Sequence, residues 1–367
     1  MRLYPVLRQI HLWFTLVFGL PLMILSLTGA ILVFAPEITE ALEAAERRVE
    51  VAGDRLPLDT LLARVRQQHP ELRPWSLSIE EEPDRALRSW LVQGAGVLTI
   101  DPYSGRVLNH FRYHDTPIGM VTALHRWLLV EDPAARRWVR NLISITTLLM
   151  ALEVLVGIWV WAALPHRLAR LKVDFRSGAR LVVLRLHTLA GLVTSVLLIA
   201  IALTGISLFW HEPARVVVEA LTGSRIEQPR RPDGPGLKPI ADLDRAVALG
   251  RTALPQAPLS AILVPQSPGD PVVLQLKTPG NFVQSRVWVG DDPPRVLAVA
   301  DGTRASLATR VRAFLYPFHI GNFGGWPVKL IWVVLSLMPA AFTVSGVWLW
   351  LVRRRRGAAR AAVLRQA

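Results

Sequence analysis

A segment that crosses the hydrocarbon core of a bilayer needs about 20 consecutive apolar residues. Four stretches of this 367-residue chain meet that demand. Leu12–Phe34 and Leu330–Val352 carry no charge, Leu142–Leu164 carries only Glu153, and Leu186–Trp210 is interrupted only by His187. Lipid offers the backbone no hydrogen-bond partner, so such stretches fold as helices. The first run is too long for the apolar core of a cleaved leader. Pro36 also follows Ala35, the one small-residue cleavage position, so the run reads as an uncleaved helix. Charged residues make up 19% of the chain, where a soluble domain carries about 25%, and that deficit falls in the four runs. There is no cysteine. Disulfides, iron–sulfur clusters, thiol catalysis and haem attached through C-x-x-C-H are thereby excluded.

Lys and Arg in the flanks set the expected orientation. Arg2 and Arg8 precede the first run. Arg167, Arg170, Lys172, Arg176, Arg180 and Arg185 crowd the connection between the second and third, against the single acid Asp174. Arg353-Arg354-Arg355-Arg356 follows the fourth. These regions belong in the cytoplasm. Ala35–Leu124, with 14 acids against 10 Lys plus Arg, belongs outside. The net charge of +14 is then a topology signal, with anionic lipid headgroups as counterions, and leaves no role for nucleic acid.

The chain also repeats itself. His11 opens the first run and Thr28-Gly29 lies near its far end; His187 opens the third, with Thr204-Gly205 in the same place. The His-to-Thr spacing is 17 residues in both. The second run ends Gly157-Ile158-Trp159-Val160-Trp161 and the fourth Gly346-Val347-Trp348-Leu349-Trp350. Leu124-His125 precedes one and Phe318-His319 the other. Between the runs of each copy, a helical stretch (Pro57–Gln68; Ile240–Ala253) leads into strand-sized segments: Trp75–Glu80, Leu87–Val92 and the pair around Asp101-Pro102 in one copy, Ser260–Pro265, Val272–Leu276 and the pair around Asp292-Pro293 in the other. Each unit contains two spans, so both copies keep one orientation, a parallel repeat.

The run His11…Leu20-Pro21…Leu27-Thr28-Gly29-Ala30, the turn within Val97–Leu108 that contains Asp101-Pro102-Tyr103-Ser104-Gly105, and the Gly-x-Trp-x-Trp helix ends resemble the PepSY-associated transmembrane-helix family over nearly the whole chain. The second turn has Pro294-Arg295 where the glycine would stand, so the second copy is degenerate. The resemblance implies a membrane α-helical protein: four transmembrane helices in two parallel helix–PepSY–helix repeats, with two extracytoplasmic α+β domains packed side by side. The expected division is a first helix over 1–34, a periplasmic PepSY-like domain over 35–124, a pre-helix segment and second helix over 125–164, and a basic cytoplasmic loop over 165–185. A third helix follows over 186–210, a second PepSY-like domain over 211–318, a pre-helix segment and fourth helix over 319–352, and a basic tail over 353–367. Some family members are similar to bacterial inner-membrane siderophore reductases, which hold b-type haem between membrane helices and reduce ferric chelates in the periplasm; others have no assigned activity.

An ionisable residue inside a span is costly and marks a candidate site. His11 and His187 are equivalent under the duplication and so can face each other near the cytoplasmic side. His125 and His319 can do so near the periplasmic side. Two histidine pairs at two depths match the needs of two b-type haems, each iron held by two neutral imidazoles. The alternatives are interfacial anchors or helix-to-helix hydrogen bonds for the first pair, and headgroup-level residues or a metal-chelate site for the second. Glu153 can pair with a histidine, carry a proton or face a polar neighbour. Trp13 and Trp127 stand near candidate ligands, but they and Trp159, Trp161, Trp348 and Trp350 read first as interface belts. Thr28-Gly29 and Thr204-Gly205 read as small residues that let helices approach. His166 and His211 cap helix ends. His110-x-x-x-His114 has helical metal spacing without a completing acid, and reads with His69 as solvated.

Three classes of function fit: a haem b electron-transfer protein, a non-catalytic PepSY protein acting as sensor, protease regulator or assembly factor, and a transporter that uses the repeat. Four helices and one intramembrane acid are few for the last. No G-x-G-x-x-G follows a strand, so no flavin or nicotinamide site is expected, and electrons would come from a quinol or a separate reductase. The periplasmic acceptor expected from the resemblance is a ferric chelate.

Overall fold

The structure, a computed structural model, describes residues 3–80, 82–229 and 237–366. Arg2, one of the topology arginines, lies outside them. Ten α-helices and eight strands follow in chain order among the described residues. The first half runs α1 (Leu3–Leu32), α2 (Ala35–Arg47), α3 (Leu58–Gln68), β1 (Pro74–Ser78), β2 (Leu87–Leu91), β3 (Val97–Ile100), β4 (Val107–Phe111), α4 (Pro117–Trp127) and α5 (Pro133–Ala162). The second half takes the same order: α6 (Ala179–Ser207), α7 (His211–Thr222), α8 (Leu243–Ala253), β5 (Leu259–Leu263), β6 (Val272–Lys277), β7 (Gln284–Gly290), β8 (Arg295–Ala300), α9 (Leu307–His319) and α10 (Gly325–Gln366). The chain divides into a helical unit (Met1–Ala35, Met120–Ala214, Leu315–Ala367) and a sheet unit (Pro36–Gly119, Arg215–Phe314).

In the helical unit α1, α5, α6 and α10 are long and apolar enough to cross a membrane. α5 starts earlier than its apolar run because Asp132 caps it, accepting from the Ala135 N–H at 2.7 Å, with Pro133 in the first turn. Large apolar side chains of these helices face outward: Val6, Ile10, Trp13, Val17 and Leu20 on α1, and Leu330, Ile331, Val334 and Leu337 on α10, are exposed. Small or polar residues, among them Gly19, Ser26, Thr28 and Thr343, are buried beside Leu22, Trp332 and Leu335. An outer face of large apolar side chains is the pattern expected where lipid is the solvent. α1 packs on α5 and α10, and α6 packs on the same two, so α1 and α6 face each other diagonally.

The α1–α10 contact is close for two local reasons. A Cβ on Gly19 would stand 2.6 Å from Thr343 Cγ2, so only glycine fits. Further along, Pro339 cannot donate a backbone hydrogen bond and loosens the α10 ladder. Ser26 enters there: its hydroxyl donates to the Ser336 carbonyl at 2.5 Å and accepts from the Ala340 N–H at 3.2 Å. A backbone opening that would be costly in lipid is closed by a side chain of the neighbouring helix.

The sheet unit corrects one expectation. The two α+β halves are not separate domains packed side by side; they share one antiparallel sheet of eight strands in the order β4-β3-β2-β1-β5-β6-β7-β8. The halves join where Ser76, Leu77 and Ser78 of β1 pair with Leu263, Ile262 and Ala261 of β5. Ile79 and Val264 lengthen the seam by donating to the Ser260 and Trp75 carbonyls, each at 2.9 Å. Two isolated four-stranded sheets would leave four bare edges; joining them leaves two. The cores also merge: Leu58 and Leu62 pack against both the first cluster (Leu61, Val65, Leu77, Leu98, Ile100) and the second (Ala246, Ile262, Val272, Leu274, Val287). The helices α3 and α8 cap each other. Asp244 accepts from the Leu58 N–H at 2.8 Å, and Asp59 accepts from the Leu243 N–H at 2.7 Å. This swap accounts for the carboxylate cluster of the exposed Asp59 and Asp242 with the half-buried Asp244.

The turns that close the two hairpins differ as their sequences do. Gly105 takes a left-handed φ of +69° against Arg64. In the second turn the left-handed residue is Asp291 at +79°. Its carboxyl accepts from the Asp292 and Lys238 N–H groups and pairs with Arg295, which together hold it below the usual carboxylate range.

Candidate functional site

The four histidines singled out by the duplication come together in two pairs within the helical unit. His11 on α1 and His187 on α6 have ring centres 6.3 Å apart with planes at 82°. His125 on α4 and His319 on α9 are 6.5 Å apart at 50°. All four rings are half-buried. His125 bonds to Thr28, which lies 17 residues along α1 from His11. The pairs therefore sit about 25 Å apart along that helix.

Each ring is seated on a glycine of its own half. A Cβ on Gly157 would stand 3.3 Å from His11 Cε1, and one on Gly29 would stand 3.3 Å from His125 Cε1. In the second half Gly346 faces His187 at 3.9 Å and Gly205 faces His319 at 2.7 Å. The arrangement is reciprocal. The first span of each half receives the histidine that precedes the second, and the second receives the histidine that opens the first. Thr28-Gly29 and Thr204-Gly205 are thus more than helix-packing residues: they form histidine seats, as does the glycine of each Gly-x-Trp-x-Trp end.

The hydrogen bonds fix which ring nitrogen is available. Thr28 donates its hydroxyl proton to the Ile24 carbonyl, so it must accept from His125 Nδ1, 2.9 Å away. Ser345 donates to the Ala341 carbonyl at 2.7 Å and accepts from His187 Nδ1 at 2.7 Å. His319 Nδ1 lies 3.0 Å from the Ile201 carbonyl, with Thr204 Oγ1 farther at 3.4 Å. His11 Nδ1 approaches Glu153 Oε1 at 2.5 Å, off the axis of a straight hydrogen bond. The rings of His125, His187 and His319 are hydrogen-bonded through Nδ1 and so present Nε2 with its lone pair, while His11 sets its Nδ1 against the Glu153 carboxyl. Imidazole ligands of metals are held in this way, the far nitrogen oriented by a carbonyl, hydroxyl or carboxylate.

The spacing fits an iron ion between the rings. A metal–imidazole bond of about 2 Å places the centres of two opposed rings about 6 Å apart. Two imidazoles per site, in a chain without cysteine, are a donor set that could hold a haem iron.

The other sequence candidates are placed as follows. Glu153 is buried on α5 beside His11, which resolves its partner. Trp13 is 62% exposed on the outer face of α1. Trp127 is buried, with Arg136 over its ring at 4.8 Å. His110 lies on β4 and donates from Nε2 to the Ala95 carbonyl at 3.1 Å, whereas His114 lies in a short 3-10 turn; the four-residue spacing is not on a helix and makes no metal pair. His69 pairs with Glu71 at 3.3 Å. His166 occupies a turn at φ +52°, and His211 starts α7. Ser345 and the Ile201 carbonyl carry no sequence signal of their own; only the duplicated histidines point to them.

The family described as PepSY-associated TM region matches residues 8–353. The chain belongs to this family. It is a multi-pass membrane protein by its four apolar helices, and the duplicated histidine seats fall within the matched span of the PepSY-associated chain. No curated protein matches the sequence.

Proposed function

We propose that this PepSY-associated protein is a haem b electron-transfer protein of the bacterial inner membrane that reduces a periplasmic acceptor, a ferric siderophore being the acceptor class its family resemblance favours. One observation carries the reading: two facing histidine pairs, about 25 Å apart along α1, with three rings hydrogen-bonded at Nδ1 and the fourth, His11, set against Glu153. His11 with His187, and His125 with His319, would hold the two groups. A bound b-type haem supplies reversible one-electron iron chemistry. The chain's part is to fix ligand orientation, to keep water from the spans with an apolar shell, and to set the two sites near opposite faces of a core about 30 Å thick. In the orientation that the Lys/Arg distribution favours, both termini are cytoplasmic, the His11–His187 site lies toward a quinol or a separate reductase, and the sheet unit is periplasmic.

Purified protein from cells supplied with iron and haem precursor tests this. Wild type should show a Soret band with two haems per polypeptide. His11→Ala or His187→Ala should lose about half of the haem, His125→Ala or His319→Ala the other half, and ferric-chelate reduction should stop in all four. Full haem content in all four variants would overturn the ligand assignment. A wild-type chain without haem would overturn the redox reading in favour of a sensor, protease regulator or assembly factor.

A further inference from the structure

The two histidine pairs have similar ring spacing and each ring sits on a glycine, but the partners of their Nδ1 atoms differ in charge. Three of the four Nδ1 atoms meet a neutral partner: the Ser345 hydroxyl, the Thr28 hydroxyl and the Ile201 carbonyl. The fourth, on His11, meets Glu153, the one acid within the spans. Its side chain is 10% exposed, so its influence is little screened by solvent. Positive side chains flank both pairs in sequence, Arg8 and Arg185 at one and Arg126 at the other.

We infer that Glu153 is a positioning residue that makes the His11–His187 site the more reducing of the two, so that electrons settle at the His125–His319 site. This rests on the haem reading above. A carboxylate on the far nitrogen raises the basicity of the imidazole and adds negative charge near the iron. Both effects stabilise the ferric over the ferrous form and lower that site's potential. Hydroxyl and carbonyl partners do the same only weakly, because they carry no net charge. One electron moves from a ferrous to a ferric centre with no proton or bond change, so the bias needs no further reactant.

Potentiometric titration of the full-length protein reads this directly, with His125→Ala and His11→Ala assigning each midpoint. Glu153→Gln should raise the His11–His187 midpoint and leave the other in place. The expected change is about tenfold or more in how an electron divides between the sites, about 59 mV for a one-electron couple. Glu153→Asp should keep most of the wild-type separation. Thr28→Asp supplies the reciprocal test: a carboxylate beside His125 should lower the second midpoint even if Glu153→Gln fails to retain haem. If the haem-retaining variants leave both midpoints unmoved, or if Glu153→Gln lowers its own site, the inference is overturned. Absence of haem in the wild type would instead defeat the function proposed above, and the two failures are distinct.

Discussion

Adding a single methyl group separates the four glycine seats by degree. At Gly205 a Cβ would stand 2.7 Å from the His319 ring, closer than non-bonded carbons approach, so the ring or the α6 backbone must move. At Gly346 the corresponding distance of 3.9 Å is an ordinary contact. Gly205→Ala should therefore strip haem from the His125–His319 site, while Gly346→Ala should leave haem content within error of wild type; haem per polypeptide measures both. Gly29→Ala and Gly157→Ala, at 3.3 Å, should fall between. The histidines themselves were legible as a repeated residue at costly positions. Their seats were not, because a glycine next to a threonine in an apolar run has the same local signature whether it admits a helix or an imidazole. The partner of Glu153 was equally hidden, since His11 and Glu153 lie on different spans and no periodicity relates them.

Among the elements, α10 depends on a residue of α1. Ser26→Ala would remove both hydrogen bonds at the Pro339 opening and leave the Ser336 carbonyl and Ala340 N–H without that partner. The expected loss is about 1 kcal/mol, the scale of interhelical hydrogen bonds in membranes, and it should show as a lower unfolding midpoint in detergent. Ser26→Ala with Pro339→Ala should recover much of it, because the α10 ladder could then close on itself. The spans and most strands are read easily from the sequence: the apolar runs are long, and strand segments such as Val272–Lys277 alternate fully buried residues with less buried ones. The helices α4 and α9, which carry His125 and His319, were legible only as segments that precede a span, since neither has a run long enough to stand out. Why β1 and β5 pair is also not local. Each is a five-residue strand, and nothing in a period of two distinguishes a sheet edge from a seam.

The whole chain makes a statement about sidedness. The six Lys and Arg between Arg167 and Arg185 and the Arg353–Arg356 cluster flank the ends of the spans nearer His11 and His187, and the sheet unit lies beyond the opposite ends in chain order. Reporter fusions after Leu124 and Phe318 should show both positions outside the cytoplasm, and fusions in the loop near Asp174 or after Arg356 should show both inside. An inside signal for either segment of the sheet unit would defeat the orientation.

The seam between β1 and β5 also sets a schedule. The two halves of the sheet unit meet through segments such as Leu58 and Asp244, 186 residues apart. At about 5–20 residues per second, synthesis delivers the second half some 10–40 s after the first. During that interval β1 is a bare edge bordered by an apolar core. Two further spans, α5 and α6, precede the late half in the chain and are made before it can cover that edge. Completion of the sheet is thereby tied to insertion of α6, and a truncated product that stops after α5 would keep an aggregation-prone edge for as long as it lives.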